Sequence, residues 1–487
     1  MKRRAVATRL LATASGLAAL LSGCQVGPNY HAPPLPTGAA APMVPLDSAA
    51  ESATAPPDAW WHLYDDPRLD ALVQEALRAN QTLAAADANL AAARAVVAAV
   101  HANRYPSTAI SAGGIYGRDA ITDEILELGG HAPVNTWLFE DVIESAYEID
   151  LFGRVHRAIE AANARSDAVA AARDSVRVVV AADTARAYAA ICALGEQIDV
   201  ARRSLEVVAQ QTRIAERRHE AGANSVFDVT RAQALEAQVR AAVPTLEGQR
   251  RAALFELTAV LGRTPAAAPR ELEDCKMPPR LPVAIPIGDG AALIRRRPDV
   301  RQAERQLAVA TAEIGVATAD LYPSIRLVGL YGGAAAQLSQ LDTSIGRTWG
   351  IGPSVSWSFP NMAGPRARVR QAKATQAAAL ASFDGVVLTA LKEVEQSLSL
   401  YAGALANAEA LGDARDRIHK AFDIASAEFG AGSVSSLDLL TTEQSLVALD
   451  AAVAAADAAL IQDQIAVFKA LGGGWRAPNA GVAALAR

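Results

Sequence analysis

The sequence predicts a mainly α-helical protein with a membrane β-barrel, in which a wall of long helices adjoins four short strands that one chain cannot close by itself. Three observations carry this expectation. The chain repeats itself at a spacing of about 210 residues, it holds two very long stretches of strong helix formers, and it contains a period-two alternation bounded by aromatic residues.

The repeat organises everything else. Arg104-Tyr105-Pro106-Ser107 returns as Leu321-Tyr322-Pro323-Ser324. Gly222, Ser225 and Asp228 return as Gly432, Ser435 and Asp438, and Leu261-Gly262 returns as Leu471-Gly472, each displaced by 210 positions. Asp150-Leu151-Phe152-Gly153-Arg154 has a looser echo between Phe359 and Arg366. Landmarks in one order in both halves mark two copies of one unit.

Each copy reads as helix, short strands, long helix, tight turn, helix. From Val155 to Glu220 there is no proline and one internal glycine, Gly195, among Ala, Arg, Glu, Gln and Leu, the strong helix formers. At the helical rise this stretch spans ~100 Å, and Arg366 to Phe429 is nearly as long. Helices of that length are coiled-coil-like or tubular. The shorter partners run from about Pro67 to Ala102 and from Val226 to Leu261, with Pro244 expected to kink or loosen the latter. Abundant alanine lets helices approach closely on two faces. That suits a continuous wall, although an ordinary Ala-rich coiled coil shares the feature.

The clearest strand is Thr348 to Phe359, with Trp349, Ile351, Pro353, Val355, Trp357 and Phe359 on one face and small or polar residues on the other. Pro353 counts against it by removing a ladder donor. Trp137 to Leu151 places mainly apolar residues at odd positions, while Glu140, Glu144, Glu148 and Asp150 at even positions fit an acidic lumen. Ser107–Tyr116 and Ser324–Tyr331 are weaker partners. Strand chemistry alone also fits a half-buried soluble sheet. In a membrane, however, exposed strands must belong to a closed barrel, and barrels need at least about 8 strands. Two chains would supply 8 and three would supply 12, so an oligomer is expected.

The N-terminus reads as a targeting segment. Lys2, Arg3, Arg4 and Arg9 precede a short apolar run, Leu10 to Leu21, that ends in Leu21-Ser22-Gly23-Cys24. A small-residue cleavage site running into Cys is the pattern of a bacterial lipobox, which makes Cys24 the expected site of lipidation. Several acyl chains on one residue meet the two-signal requirement for stable anchoring. The seven prolines between Pro33 and Pro57 preclude a helix there and predict an extended tether, with the ordered body starting near Trp60-Trp61.

Removing four basic residues takes the formal charge from −6 to about −10, which disfavours nucleic acid as a partner. Cys192 and Cys275 are then the remaining thiols. A bridge between them is compatible with an oxidising compartment, but nothing in the sequence argues for or against it. No H-E-x-x-H, G-x-S-x-G or Cys–His constellation occurs, so no enzyme, metal or cofactor is expected beyond a covalent lipid on Cys24.

The segment Ala221 to Asp228 reads as a helix reversal, with Gly222 as a left-handed stop and Ser225 with Asp228 as a capping box. Gly432, Ser435 and Asp438 repeat it. These residues serve to end and start helices. A second role is expected for both turns: docking a partner at the far end of a tube, with Asp438 and Asp228 ringing its mouth as a pore constriction.

Together Cys24-Gln25-Val26-Gly27-Pro28-Asn29-Tyr30, Trp60-Trp61, the two Tyr-Pro-Ser motifs, Asp150-Leu151-Phe152-Gly153-Arg154, Arg297-Pro298-Asp299-Val300 and the twin glycine turns resemble the TolC-like outer-membrane efflux factors, in the NodT-type lipoprotein branch. The resemblance runs from Cys24 to about Trp475. It implies a homotrimer with a shared 12-stranded barrel in the outer membrane and a long-helix α-barrel through the periplasm. It also implies a periplasmic adaptor and an inner-membrane pump of the resistance-nodulation-division type as partners, with passive export of drugs or other small molecules as the function. In that family an aspartate at the position of Asp438 rings the periplasmic entrance. The second acid three residues later is Thr441 here, and the latch arginine used by some members is Val434. Gln25 after Cys24 agrees with sorting to the outer membrane. The expected segments are 1–23 signal peptide, 24–59 lipid-anchored segment, 60–264 first repeat, 265–296 linker, 297–475 second repeat and 476–487 tail. The alternatives are a periplasmic coiled-coil adaptor or structural lipoprotein, and an outer-membrane duct for secreted protein or metal ions.

Overall fold

A computed structural model describes residues 25–39, 51–52, 54, 56–118, 128–130, 132, 135–288 and 290–473. Cys24 and the leader before it lie outside the described residues, as does the tail beyond Gly473. Two compact units interleave along the chain. The first comprises Met1–Pro33, Ala91–Val169 and Ala303–Phe383, and the second Pro34–Leu90, Ala170–Gln302 and Asp384–Arg487.

The elements follow the repeat. A two-residue strand β1 (Glu51–Ser52) precedes helices α1 (Pro67–Ala79) and α2 (Gln81–His101), strands β2 (Ser107–Gly117) and β3 (Thr136–Ile149), and helices α3 (Arg154–Glu220) and α4 (Val226–Val260). The second half has β4 (Ile285–Pro286), α5 (Gly290–Arg296), α6 (Pro298–Ala319), β5 (Ser324–Ala335), β6 (Arg347–Ser356), α7 (Ala363–Gly430) and α8 (Ser436–Ala470). The long helices α3 and α7 have 67 and 68 residues, as strong helix formers with no proline beyond the first turn predict.

In the first unit, β2-β3-β5-β6 form an antiparallel sheet in that order. Its register sorts the side chains cleanly. Ile110 pairs with Ile143, Ile143 with Tyr331, and Tyr331 with Trp349, giving one row of large apolar residues across all four strands. The adjacent row, Ala109, Glu144, Leu330 and Gly350, points to the other face, since successive residues alternate sides. The apolar row is uncovered in the single chain: Ile110 is 78% exposed and Trp349 72%.

The second unit has the main core. Trp60 stacks on Phe468 at 4.8 Å and is fully buried. Trp61, Tyr64, Leu69, Tyr188, Ile191, Leu257 and Leu398 pack around this pair. The Tyr188 hydroxyl donates to Asp66 at 2.8 Å, while the other carboxylate oxygen of Asp66 caps α1 by accepting from the Arg68 and Leu69 amides.

Several sequence expectations are revised. The helix expected from Pro67 to Ala102 is two helices, because Asn80 leaves the helical region and caps α2 through the Leu83 amide. Its side-chain amide also hooks the Val260 carbonyl at 2.9 Å. Pro244, expected to kink or loosen its helix, lies inside α4 without ending it. The strand expected to reach Phe359 ends at Ser356, and Trp357 instead donates to the Leu321 carbonyl and stacks on Phe359. Residues 25–33, upstream of the Trp60-Trp61 expected to begin the ordered body, pack within the first unit.

The thiols left open by the sequence are joined. Cys192 and Cys275 form a disulfide with their Cα atoms 4.8 Å apart. Gly195 explains how the Cys275 segment reaches α3: a Cβ there would fall 1.9 Å from the Cys275 carbonyl oxygen.

Candidate functional site: the paired turns and the exposed sheet

Both turns that the sequence singles out belong to the second unit and are built alike. Gly222 and Gly432 take φ of +75° and +82°, a conformation that favours glycine. In the first turn the Gly222 amide donates to the His219 carbonyl and the Ala223 amide to Arg218. In the second, Gly432 donates to Phe429 and Ser433 to Glu428. This is the paired closing pattern that ends a helix on a left-handed residue.

The next helices start alike too. The Ser225 hydroxyl oxygen accepts from the Asp228 amide at 3.2 Å and the Ser225 amide donates to the Asp228 carboxylate at 3.1 Å, completing a capping box, while the hydroxyl also donates to that carboxylate at 2.7 Å. Ser435 accepts from the Asp438 amide at 3.1 Å and donates to its carboxylate at 2.6 Å. Both carboxylates therefore sit in the first turns of α4 and α8, where the helix dipole favours them. Asp438 is exposed and Asp228 half-buried.

The turns stand side by side. The Arg218 guanidinium, near the end of α3, lies 4.0 Å from the centre of the Phe429 ring near the end of α7. Below it, a cavity of about 30 Å³ is lined by Asn224, Asp228, Phe429, Ser436 and Glu443, among others. Val208, Leu235, Val239 and Leu440 pack nearby in a small core.

Glu443 is the functional candidate that sequence reading missed. It is 1% exposed, and its Oε1 has no hydrogen-bond partner. Burial pushes its carboxyl up to about 7. The signal was present in the sequence, since Glu443 follows Leu439 and Leu440 and precedes Leu446 at core spacing on α8.

Arg297 of the Arg-Pro-Asp-Val motif is a joint. Its guanidinium donates to Asp299 at 2.7 Å and to Glu393 at 2.6 Å, and reaches the Ala470 carbonyl at the end of α8 at 2.8 Å. Among the described residues there is no group of three His, Cys, Asp or Glu side chains able to hold a metal ion.

The sheet's chemistry is that of a barrel wall. One face is mainly apolar and aromatic, with Asp141 among its residues, and the other carries glycine, serine and the carboxylates of Glu140, Glu144 and Glu148 beside Ile115, Leu138, Val142 and Leu330. Glu148 is held by Arg154 at 2.8 Å, with Arg326 3.7 Å away.

Comparison with known proteins agrees with this geometry. The sequence pattern of the outer membrane efflux protein family matches residues 72–263 and 291–473, one stretch in each repeat. Nodulation protein T of Rhizobium leguminosarum bv. viciae is 29% identical over 467 residues, covering 96% of this chain and 94% of that protein. The pyoverdine export outer membrane protein OpmQ of Pseudomonas aeruginosa is 28% identical over 475 residues, covering 95% and 97%. Among solved structures, the outer-membrane channel OprN superposes with a TM-score of 0.84 at 33% identity, covering 93% of this chain and all of that one. The duplicated helix–strand pattern, the barrel-wall sheet and the match across both repeats have one reading: the chain belongs to the outer membrane efflux protein family and is an efflux channel protein of the outer membrane.

Proposed function

We propose that three copies of this chain close a 12-stranded barrel and a tube of long helices, and that this homotrimer is the passive outer-membrane duct of a tripartite efflux system. The observation that carries the reading is the sheet. Its outer strands β2 and β6 each have one neighbour in the order β2-β3-β5-β6, while an apolar row crosses one whole face. Open strand edges in hydrocarbon leave backbone groups unpaired, at several kcal/mol each, so the sheet requires copies of itself.

The helices support the same assembly. Four are long and apolar enough to cross a membrane by length and composition, yet the apolar window of α3 is mostly buried within the chain. The corresponding windows of α2, α7 and α8 are 11%, 17% and 22% buried, leaving Ala-rich surface for neighbouring copies to cover. The chain's two repeats (60–264 and 297–475) then supply matching wall segments. Cys24, after removal of residues 1–23, carries the lipid.

The turns at Gly222–Asp228 and Gly432–Asp438 dock the periplasmic adaptor, through which an inner-membrane pump of the resistance-nodulation-division type is coupled. Asp438, with Asp228, rings the entrance. Substrate choice rests with the pump, and drugs or other small molecules are the expected cargo. No enzymatic step belongs to this reading, since the efflux family is a family of channels.

The test is conductance of purified protein in planar bilayers. Asp438→Asn removes the charge while keeping a side-chain acceptor for the Ser435 hydroxyl, which alanine would lose. Discrete channels with reduced cation preference in Asp438→Asn support the gate. Unchanged selectivity in both Asp438→Asn and Asp228→Asn removes it, and a monomer without conductance overturns the duct.

A further inference from the structure

Two motifs mark this sequence without a role in passage: Val26-Gly27-Pro28-Asn29-Tyr30, and Phe152-Gly153 at the junction of β3 and α3. Within the first unit they meet. The Val26 amide donates to the Phe152 carbonyl at 3.2 Å. Gln25 lies against Gly153, where a Cβ would fall 2.7 Å from its Cγ. The strand β3 ends at Ile149, so the strap crosses directly below the sheet.

Arg157, one turn into α3, holds the strap. Its side chain is 2% exposed. Its Nε donates to the Val26 carbonyl at 3.3 Å, and its Nη2 to the Gly27 carbonyl at 3.3 Å and to Asn29 Oδ1 at 2.7 Å. The remaining nitrogen, Nη1, pairs with Glu160 at 2.8 Å. An irregular segment has no ladder to satisfy its carbonyls, and a planar guanidinium fork offers several donors in fixed directions, which an ammonium does not.

Glycines make the room. Gly27 has φ +89°, and a Cβ there would meet Gly315 Cα of α6 at 2.5 Å. A Cβ on Gly315 would in turn fall 2.7 Å from the Arg157 side chain. Tyr30 closes the far end, donating its hydroxyl to Glu304 at 2.9 Å and packing against Ala164, Ala308 and Val309.

We propose that Arg157 is a positioning residue that clamps the strap so that the acyl chains on Cys24 enter the bilayer at a fixed place, beside the end of β3. This rests on the lipid-anchor reading of Cys24. One peptide link joins Cys24 to Gln25, and covalent geometry keeps consecutive Cα atoms within about 3.8 Å. The anchor is therefore one end of a docked strap, and its depth is set by the sheet it accompanies.

The experiment places a benzophenone amino acid at Gln25 in the full-length chain, irradiates native membranes and maps adducts by mass spectrometry. The acylation of the N-terminal peptide is read from the same digests. Wild type is expected to give adducts to the peptide containing Phe152 and Gly153. Arg157→Met is expected to lower them at least fivefold with acylation and heat-modifiable barrel mobility unchanged, and Arg157→Lys to restore part of the yield. Gly27→Ala displaces the strap without touching the arginine, and is expected to give the same loss if Arg157→Met fails to fold. Undiminished adducts in folded Arg157→Met or Gly27→Ala overturn the clamp. An unacylated N-terminus in wild type overturns the lipid reading and the positioning of the anchor with it, whatever the strap does.

Discussion

Glu443→Gln isolates one buried charge near the turns. Raising a carboxyl from its ordinary value of 4.5 to about 7 corresponds to roughly 3 kcal/mol in favour of the protonated form. The cause is burial: Glu443 is 1% exposed and its Oε1 is unpartnered. The folded state binds this proton more tightly than an opened one. Local stability is therefore full below about pH 4.5, falls as pH rises, and is lost above about pH 7. The cavities that Glu443 borders also present Glu196 and Arg203 from α3, Asp228 from α4, Arg280 from the segment before β4, Arg415, His419 and Asp423 from α7, and Asp450 and Asp457 from α8. The comparison is therefore between two variants that share all of these groups and differ only at Glu443. Amide exchange over 436–450, divided by intrinsic rates, reports the opening free energy from pH 5 to pH 8. Wild type should lose about a hundredfold in protection across that range. Glu443→Gln, uncharged throughout, should stay flat. Parallel curves in the two proteins would refute the reasoning, because the titrating group would then lie elsewhere.

Two further outcomes follow from covalent and ionic joints in the second unit. Reducing the Cys192–Cys275 disulfide opens a loop of sequence separation 83, for which chain entropy gives about 4 kcal/mol; thermal unfolding with and without reductant should separate clearly, and Cys192→Ala should be insensitive to reductant. Arg297→Met removes a buried guanidinium that joins Asp299, Glu393 and the Ala470 carbonyl. A loss of about 3 kcal/mol is expected, read as a lower midpoint in denaturant, and an unchanged midpoint would show that the joint contributes nothing.

The sequence alone determined the elements that rest on local chemistry. The two long helices follow from stretches of helix formers free of interior proline, and the turns from Gly222 and Gly432 with their serine and aspartate caps. Two of the four strands follow from alternation, with weaker signals for the other two, and the duplication follows from landmarks 210 positions apart. These are visible because each depends on residues close together in the chain. Tertiary structure decided what depends on residues far apart. Asn80 splits a helix because it is needed at Val260, and Cys192 meets Cys275 because Gly195 leaves room for a backbone. Arg157 serves carbonyls some 130 positions away, and Glu443 becomes a titrating group only because helices close over it. A carboxylate in an apolar register reads on paper as an irregularity of pattern; only packing removes its water and gives it a proton to lose near neutral pH.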